Sequence, residues 1–489
     1  MGTVKHQTWD VVVIGSGPGG QKASVQAAKA GKKVLMIESY PDLGGGCVHW
    51  GTIPSKSFRE SVYRYSLGSR GVLGRESDEA TKKQQESKQK PLPPEMKRLL
   101  KRRDRVVTEE SRVVTAQLKR NGVEVLKGVA QFEEVGVVRI KGTETLIQAK
   151  VFIIATGSRP IGPKEIKVDH KVVYDSDSIL TLKRVPRSLV ILGGGIIGCE
   201  YASMFSMAGT DVTLMDKRPE ILGSVDREIS KILMKRYEAQ GMVLRLEECA
   251  ERVETITVDD VPMARVHTST GGVLEVDAVL VALGRVGNTE ELGLDRIGVK
   301  CDERGLIKVN ETYETSCKGV FAVGDVLGAP ALASTSQEQG RFAARYALGL
   351  SSEKDEKMDS VFPYGIYTIP EISMIGETEE QLKDRNASYI VGRAQYNELA
   401  RGQIVGDSFG MLKMLVDPKN LKILGVHIVG DSAADLIHIG QAVMGLNGDV
   451  TFFIRSVFNY PTLAEAYKVA AFQAYHAAGF NQKKLEPTK

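Results

Sequence analysis

Short unbroken apolar runs near the N-terminus predict strands that are buried on both faces of a sheet. The first run covers residues 11–14, and the second covers 33–37 and closes on Glu38. Between them, an alanine-rich stretch ends at Gly31 and predicts a helix. Strand, helix and strand in this order are typical of a parallel sheet, because parallel neighbours need a long crossover connection.

The same order of apolar runs returns further along the chain. Runs over 188–192 and 211–215 again enclose a predicted helix, and the second of them closes on Asp216. Short strands with turn residues between them are predicted over 123–126, 137–140 and 146–154. The hydrophobic pattern therefore predicts two similar α/β units within one chain.

A different periodicity separates the two units. Apolar pairs recur every seven residues at 99–100, 106–107 and 113–114. They predict a long helix with one apolar face, for which the Asn-Gly pair at 121–122 supplies a stop. The segment 76–90 before this helix is almost entirely polar and predicts a solvated loop.

Each predicted unit carries a glycine-rich turn between its first strand and its helix. Both turns match the pattern GxGxxG, whose glycines allow a tight turn and a close approach of the backbone to a pyrophosphate. The candidate nucleotide-binding residues are Gly15, Gly17, Gly20 and Glu38 in the first unit and Gly193, Gly195, Gly198 and Asp216 in the second. The first glycine and the terminal acid are 23 positions apart in both units. We therefore predict two dinucleotide sites.

Composition and charge narrow the class of protein. The 489 residues suggest two to four domains, and the balance of 65 basic against 61 acidic residues gives no indication of nucleic-acid binding. The basic start of the long helix is interpreted as an exposed helix face. No apolar run approaches the roughly 20 residues that span a bilayer, and the N-terminus lacks a signal-peptide pattern. Five cysteines without a framework spacing favour reduced thiols, so we expect a cytoplasmic enzyme without membrane insertion.

Residues 44–56 read GGGCVHWGTIPSK and follow directly on the first unit. This segment resembles the redox-active segment of the flavoprotein disulfide reductases, in which two cysteines five positions apart lie against a flavin ring. Here Cys47 has Thr52 at the partner position, and a thiol–disulfide relay needs two sulfurs. The resemblance therefore implies an FAD site that includes Gly45, Gly46 and Cys47 but has no intrachain disulfide relay. The second dinucleotide site is then left for a nicotinamide nucleotide.

Further residues take roles from this resemblance, and each also has a purely structural reading. Lys56 is implied to lie near the reactive edge of the flavin, although it would equally suit a solvated surface. Glu200 is implied to lie near the nicotinamide, or it is an ordinary helix residue. Asp325, which ends an apolar strand, is implied to bind the ribityl chain of FAD, or it forms a turn. The segments ATGSRP and VALGRVGN add Thr156, Gly157 and Gly284 to the predicted cofactor contacts.

The resemblance implies an α/β fold with two Rossmann-like dinucleotide-binding domains and a C-terminal α+β dimerisation domain. The predicted bounds are 1–160 and 285–355 for a discontinuous FAD-binding domain, 161–284 for an NAD(P)-binding domain and 356–489 for the interface domain. In the family, a His and a Glu of the last domain reach the active site of the other subunit. Here Tyr460 stands at the His position, while Glu465 is retained. We expect a homodimer or larger homo-oligomer whose contacts come mainly from residues 361–489.

The chain therefore lacks both the second thiol and the acid–base imidazole of the family. The tyrosine does not substitute for the imidazole, because a side chain with a pKa of about 10 does not act as a base near neutrality. The segments GGGCVHWGTIPSK, YDSDSIL and YTIPEIS together resemble the soluble pyridine nucleotide transhydrogenases, with Val48 and Asp216 as departures. This resemblance implies one non-covalent FAD per subunit and Si-specific hydride transfer between NADPH and NAD. The residues placed nearest the flavin are Cys47, Thr52 and Lys56, with Tyr460 and Glu465 from a partner subunit.

Other activities are compatible with most of these motifs. A dihydrolipoamide dehydrogenase is the nearest relative in mechanism, and Thr52 argues against it. A quinone reductase or an NADH oxidase fits every motif. A redox-sensing module that uses Cys47 leaves two intact nucleotide sites unexplained.

The choice of nicotinamide nucleotide depends on three consecutive residues. Asp216 suits the ribose hydroxyls of NAD and repels a 2′-phosphate, whereas Lys217 and Arg218 follow at once and offset that repulsion. We predict that NADH and NADPH both reduce FAD, and that Arg218 is needed for NADPH.

Overall fold

The computed structural model describes residues 5–69, 94–351 and 362–479. The predicted loop over 76–90 and the charged segment 352–360 lie outside these ranges. Two units with parallel sheets occupy most of the described chain, and an antiparallel sheet with helices follows them. The predicted fold class is confirmed.

The first unit is a seven-stranded sheet whose central strands are parallel. Its strands are β1 (Lys5–Ile14), β2 (Val34–Glu38), β3 (Glu124–Lys127), β4 (Ala130–Glu134), β5 (Val137–Ile140), β6 (Thr145–Ile154) and β17 (Val320–Ala322). Val11 pairs with Val34 on one side and with Val151 on the other, so the first apolar run lies at the centre of the sheet. β1 begins well before that run, because β6 pairs with it as far back as Lys5.

The second unit repeats this arrangement with five parallel strands in the order β11-β10-β9-β15-β8. These are β8 (Val173–Asp175), β9 (Ser188–Leu192), β10 (Asp211–Asp216), β11 (Val243–Leu246) and β15 (Ala278–Val281). An antiparallel sheet of β12 (Ala250–Val258), β13 (Val261–Thr268) and β14 (Val273–Val276) lies beside it. Two short antiparallel strands, β7 (Ser158–Pro160) and β16 (Arg285–Gly287), pair where the chain leaves the first unit and returns to it.

The C-terminal unit is a five-stranded antiparallel sheet with helices packed on it. Its strands are β18 (Tyr364–Ile366), β19 (Glu371–Gly376), β20 (Ile390–Gln395), β21 (Met411–Val416) and β22 (Ile423–Gly430). Most apolar side chains of β21 and β22 are buried, and those of Leu412, Met414, Val426 and Ile428 form one core with residues of the last helices.

Twelve helices are described, apart from four single turns of 3₁₀-helix at 179–181, 294–297, 324–327 and 396–398. Those of the first two units are α1 (Pro18–Lys29), α2 (Gly45–His49), α3 (Thr52–Ser69), α4 (Met96–Arg120), α5 (Ile196–Met207), α6 (Arg227–Ala239) and α7 (Ala333–Ala347). Those of the C-terminal unit are α8 (Glu379–Asp384), α9 (Ala400–Val405), α10 (Ala433–Gly445), α11 (Thr451–Arg455) and α12 (Glu465–Ala477). None of these described helices combines the length and apolar character that a membrane span requires.

The long helix predicted from the seven-residue repeat is confirmed as α4. Its N-terminal half packs Leu99 and Leu100 into a core shared with the second unit, whereas Val114 near its C-terminus packs against the first sheet. The apolar face is narrower than the paired repeat suggests, because Val113 is exposed. The helix thus packs against both the first and the second unit.

A buried group of charges joins the second unit to the C-terminal sheet. Lys413 on β21 has no exposed surface and contacts Asp226, Glu228 and Glu379, with its Nζ 2.9 Å from both carboxylate oxygens of Asp226. Asp226 is equally buried and caps α6 by accepting a hydrogen bond from the backbone N–H of Glu228. This cluster fixes the start of α6, and with it the loop that follows β10, against the C-terminal unit.

Candidate functional site

A cleft of about 1560 Å³ lies between the two parallel sheets and is closed on one side by the C-terminal unit. Both glycine-rich turns, the segment 45–56 and the start of β18 line it. Of the predicted cofactor contacts, the cleft is lined by Gly15, Gly17, Glu38, Gly45, Gly46, Cys47, Lys56, Thr156, Gly157, Gly193, Gly195, Glu200, Asp216, Arg218, Gly284 and Asp325. The structure therefore brings these residues together around one continuous space.

The two remaining fingerprint glycines, Gly20 and Gly198, do not line the cleft. A Cβ atom on Gly20 would collide with the carbonyl oxygen of Gly15, and one on Gly198 would collide with that of Gly193. These glycines allow each helix to approach its strand, so they shape the two turns without lining the cleft.

The middle glycine of each turn faces open space. A Cβ atom on Gly17 or on Gly195 would meet no atom within 4 Å, although both positions line the cleft. Each precedes the N-terminus of a helix, α1 or α5, where unpaired backbone N–H groups favour an anion. Both turns therefore have the room and the polarity that a pyrophosphate needs.

The acidic residue at the end of each second strand is held by the glycine-rich turn. Glu38 accepts hydrogen bonds from the backbone N–H groups of Ser16, at 2.8 Å, and Tyr40, at 2.7 Å. Asp216 accepts the equivalent bonds from Gly194, at 2.6 Å, and Arg218, at 2.8 Å. Burial alone would raise the pKa of Asp216, but hydrogen bonds from Arg218 and Gly194 hold that pKa below its ordinary value. Backbone donors of the two glycine-rich turns thus anchor both acids at the cleft.

The segment that resembles a redox-active disulfide bends between two helices. Cys47 lies in α2 and Thr52 begins α3, and the Thr52 hydroxyl lies beside the Cys47 thiol. Burial raises the pKa of the Cys47 thiol, and the Thr52 hydroxyl and the charge of Lys56 oppose that rise only in part. Cys47 therefore stays a neutral thiol at neutral pH, unlike a nucleophilic cysteine.

Gly46 shows why this segment contains three glycines in a row. A Cβ atom there would lie 2.9 Å from the indole nitrogen of Trp50, which also lines the cleft. Gly45 has φ of +61°, and a Cβ atom on it would approach the backbone of Gly17 to 2.7 Å. The segment is therefore packed directly on the first glycine-rich turn.

Lys56 and Glu200 form an ion pair in the cleft. The Lys56 Nζ lies 2.7 Å from Glu200 Oε2, while Glu200 Oε1 accepts a hydrogen bond of 2.8 Å from the backbone N–H of Tyr367. The Lys56 ammonium also lies 5.1 Å from the centre of the Tyr367 ring. One residue from each of the three units thus meets at this point, and Lys56 is not a freely solvated lysine.

A further group of polar residues lies where the chain passes between the first two units. The hydroxyl of Thr156 is buried and has no hydrogen-bond partner among the described residues. Asp325 is half-buried, and its desolvation raises its pKa, while Ser158 donates a hydrogen bond of 3.3 Å to it. An unpaired hydroxyl and a single-partner carboxyl in a cleft are suited to a polar ligand.

Tyr460 and Glu465 do not line the cleft. Tyr460 is 74% exposed, and Glu465 is the first residue of α12 in the C-terminal unit. Within one subunit, therefore, neither contributes to this site.

Sequence reasoning missed the contribution of the C-terminal unit to the same subunit's cleft. Tyr364, Gly365 and Tyr367 line it from β18 and the turn beyond. The motif YTIPEIS drew attention to this segment, yet no periodicity predicts that its aromatic residues reach a helix of the second unit. That proximity depends on how the units pack.

The family described as "Pyridine nucleotide-disulphide oxidoreductase" matches residues 9–340. Its dimerisation domain matches residues 362–471. Among curated proteins, the "Soluble pyridine nucleotide transhydrogenase" of Yersinia enterocolitica is 41% identical over 482 residues, which cover 96% of this chain and 98% of the relative. The protein of the same description from Yersinia pestis (strain Pestoides F) is 42% identical over 473 residues, with the same coverage.

Solved structures show the same architecture. An HOCl-induced flavoprotein disulfide reductase from Escherichia coli superposes with a TM-score of 0.83 at 27% identity, covering 95% of this chain and 99% of that one. LpdA from Mycobacterium tuberculosis superposes with a TM-score of 0.82 at 23% identity, covering 95% and 99% of the two chains, and supports the fold alone.

Proposed function

We propose that this chain, which belongs to the pyridine nucleotide-disulphide oxidoreductase family, transfers hydride between NADPH and NAD in the manner of the soluble pyridine nucleotide transhydrogenases. One observation carries the proposal. The residue beside Cys47 at the position that would complete a dithiol is Thr52, which carries a hydroxyl and no sulfur. Electrons delivered to a flavin in this cleft therefore cannot pass to an intrachain disulfide.

The residues of the first unit fit FAD. Gly17 leaves open space at the N-terminus of α1, the buried Thr156 hydroxyl lacks a partner, and Glu38 retains acceptor capacity beyond its two backbone bonds. We assign the pyrophosphate to the turn at Gly17, the adenosine ribose to Glu38, and the ribityl side to Asp325. When bound, FAD supplies a carrier that accepts two electrons as hydride from one nicotinamide and returns them to another.

The chain's own contribution is to position the nucleotides and to balance charge between them. Lys56 and Glu200 neutralise each other between the two nucleotide-binding units, and the backbone of Tyr367 fixes the Glu200 carboxylate. Direct hydride transfer needs no protein acid or base, so the neutral thiol of Cys47 and the hydroxyl of Thr52 are adequate neighbours. The second turn, with Gly195 and Asp216, is assigned to whichever nicotinamide nucleotide is bound.

The same arrangement supports the domain limits proposed above. We place the FAD-binding domain at 1–160 and 285–355, the NAD(P)-binding domain at 161–284 and the interface domain at 356–489. β17 joins the first sheet although it lies after the whole second unit, which supports a discontinuous first domain. All five cysteines are free thiols, which supports a cytoplasmic location.

An acceptor panel tests the proposed activity. The purified holoenzyme is given NADPH or NADH and then a thionicotinamide analogue of NAD, lipoamide, a quinone or oxygen as acceptor. We expect the nicotinamide analogue to be reduced at least a hundredfold faster than any other acceptor. Equal or faster turnover with quinone or oxygen would replace the transhydrogenase assignment with a reductase or oxidase.

The exposed apolar residues of the C-terminal unit predict a homodimer. Leu446, Phe452, Val457 and Tyr460 are large and exposed within one short stretch, and Val457 is 95% exposed. Because such a stretch gains free energy when it is covered, Val457→Glu should convert the dimer to a monomer. Light scattering coupled to size exclusion measures the mass, and Val135→Glu, at an exposed valine of the first unit, is the control. A dimer that survives Val457→Glu at micromolar concentration would place the interface elsewhere.

The dimer also bears on two candidate catalytic residues. We propose that Tyr460 and Glu465 act on the partner subunit's site, because neither lines the cleft of its own subunit. A monomeric Val457→Glu variant that retained full activity would exclude that assignment.

Arg218 is expected to decide whether NADPH is used. Its guanidinium lines the cleft beside the acid that faces the ribose, and a bidentate contact to phosphate contributes about 1.5–3 kcal/mol. Arg218→Ala should raise the KM for NADPH roughly tenfold to a hundredfold and should not impair NADH. Steady-state kinetics with both donors measures the change, and Lys235→Ala, which removes an exposed cation of α6 away from the cleft, is the control. Undiminished NADPH use by Arg218→Ala would favour an enzyme that selects NAD alone.

A further inference from the structure

The two glycine-rich turns hold their acids with the same backbone bonds, and this equivalence exposes one difference. The residue after the first glycine donates to one carboxylate oxygen, and the residue two positions after the acid donates to the other. Tyr40 and Arg218 are therefore structurally equivalent. In the first turn the side chain of Tyr40 packs near His49 and Trp50, whereas in the second the side chain of Arg218 returns to the acid.

The return of Arg218 fills the acid's remaining acceptor positions. Its Nε lies 2.9 Å from Asp216 Oδ1 and its terminal nitrogen lies 2.8 Å from Oδ2, in addition to the backbone bonds from Gly194 and Arg218. A carboxylate has about four lone-pair sites, so Asp216 is saturated by protein donors. Glu38 has two strong backbone donors and a longer contact of 3.4 Å from Ser39, and keeps capacity for ribose hydroxyls.

We propose that Asp216 and Arg218 form a latch in which the Asp216 carboxylate occupies Arg218 as an internal substitute for the 2′-phosphate of NADP(H). Opening the latch exposes two recognition groups at once. The ribose hydroxyls of NAD(H) need the carboxylate that Arg218 covers, and the 2′-phosphate of NADP(H) needs the guanidinium that Asp216 holds. Both nucleotides therefore compete with the same ion pair. This inference rests on the proposed function, in which one site must bind both nucleotides in turn.

The burial of the two partners determines which one moves. Asp216 is 6% exposed and is anchored by two backbone N–H groups, while the Arg218 side chain is 46% exposed. Ion pairs of which one partner is solvated contribute little net stability, so the guanidinium can leave at small cost. Gly223 lies beside the guanidinium, and a Cβ atom there would be in van der Waals contact with it at 3.4 Å.

A latch also explains how one site avoids a strong preference for either NAD(H) or NADP(H). A free Arg218 would retain NADP(H), and a free Asp216 would retain NAD(H) and repel the phosphate. In the ion pair, Asp216 weakens the binding of NADP(H) to Arg218, and Arg218 weakens the binding of NAD(H) to Asp216. Neither nucleotide is then held so tightly that it blocks exchange with the other.

Binding of nucleotide fragments to the FAD-loaded enzyme tests the latch without hydride transfer. Calorimetry measures the dissociation constants of 2′,5′-ADP, which carries the 2′-phosphate, and of ADP-ribose, which carries a free ribose diol. Asp216→Asn removes the competing charge and should tighten 2′,5′-ADP by about tenfold. Arg218→Ala uncovers the carboxylate and should tighten ADP-ribose by about threefold to tenfold, while it weakens 2′,5′-ADP at least tenfold.

The tightening of ADP-ribose by Arg218→Ala is the decisive result, because an arginine that only reads phosphate would leave that fragment unaffected. Unchanged or weaker ADP-ribose binding in Arg218→Ala, or unchanged 2′,5′-ADP binding in Asp216→Asn, would overturn the latch. The flavin absorbance of each variant, and unaltered binding of both fragments to Lys235→Ala, at an exposed lysine of α6 that does not line the cleft, exclude a general loss of structure. A protein that shows these binding changes but transfers no hydride between nucleotides would retain the latch and lose the proposed function.

Discussion

Anaerobic reduction of the FAD-loaded enzyme should end after two electrons per subunit. A flavin beside a dithiol accepts four, but Cys47 faces the hydroxyl of Thr52, and the other four cysteines lie in unrelated segments of the chain. Burial also raises the pKa of Cys47, so no long-wavelength thiolate-to-flavin band should appear during the titration. Stepwise addition of dithionite, followed by absorbance, measures both quantities.

Substitutions at the same two positions sharpen this prediction. Cys47→Ser should retain most of the nucleotide-to-nucleotide activity, because the thiol has no covalent role. Thr52→Cys supplies the missing sulfur beside Cys47 and should raise the uptake to four electrons. Lipoamide and glutathione disulfide should be inactive with the natural chain. Uptake of four electrons by the natural chain, or complete loss of activity in Cys47→Ser with FAD still bound, would contradict the proposed chemistry.

Removal of the Lys413 ammonium should destabilise the protein strongly. Lys413 has no exposed surface, and it is surrounded by the carboxylates of Asp226, Glu228 and Glu379. Loss of one partner from a buried ion cluster leaves uncompensated charge and costs about 3–5 kcal/mol. We expect Lys413→Met to lower the unfolding midpoint in urea by an amount that corresponds to this free energy. Lys419→Met, at an exposed lysine in the turn between β21 and β22, is the control and should have little effect.

The same cluster predicts a loss of stability in acid. Burial alone would raise the pKa of Glu379, but hydrogen bonds from Lys383 and Lys413 lower it to about 2, and the pKa values of Asp226 and Glu228 are also lowered. A carboxyl whose pKa is lower in the folded state contributes stability above its unfolded pKa of about 4, and that contribution is lost as the pH falls towards 2. Unfolding midpoints measured between pH 6 and pH 3 should therefore fall, and less so in Lys413→Met. Parallel pH profiles for the two proteins would show that Lys413 does not set these pKa values.

The amino-acid sequence by itself determined the repeated architecture. Unbroken apolar runs locate strands that are buried on both faces, and a glycine in the tight turn after each strand is a local requirement of backbone geometry. The absence of a sulfur at Thr52 is equally local, since a relay needs two thiols wherever the segment lies. These features depend on neighbouring positions in the chain and were therefore predictable.

Strand limits were less predictable. The apolar run at 11–14 marks only the part of β1 that is covered on both faces, whereas pairing with β6 extends the strand back to Lys5. Val113 likewise belongs to the seven-residue repeat of α4 but faces solvent. Periodicity reports burial, and burial at the ends of an element depends on what packs there.

Only the tertiary structure decided how distant charges meet. Lys56 is 144 positions from Glu200, and Lys413 is 187 positions from Asp226, so no local pattern connects them. From the sequence alone, a lysine in a strand is expected to be solvated, and only the folded structure shows that three carboxylates surround Lys413. The conformation of Arg218 was undetermined for the same reason, because its side chain can extend into the cleft or return to Asp216 with the same sequence. The choice is made by the backbone N–H groups of Gly194 and Arg218, which hold the carboxylate in place for the guanidinium.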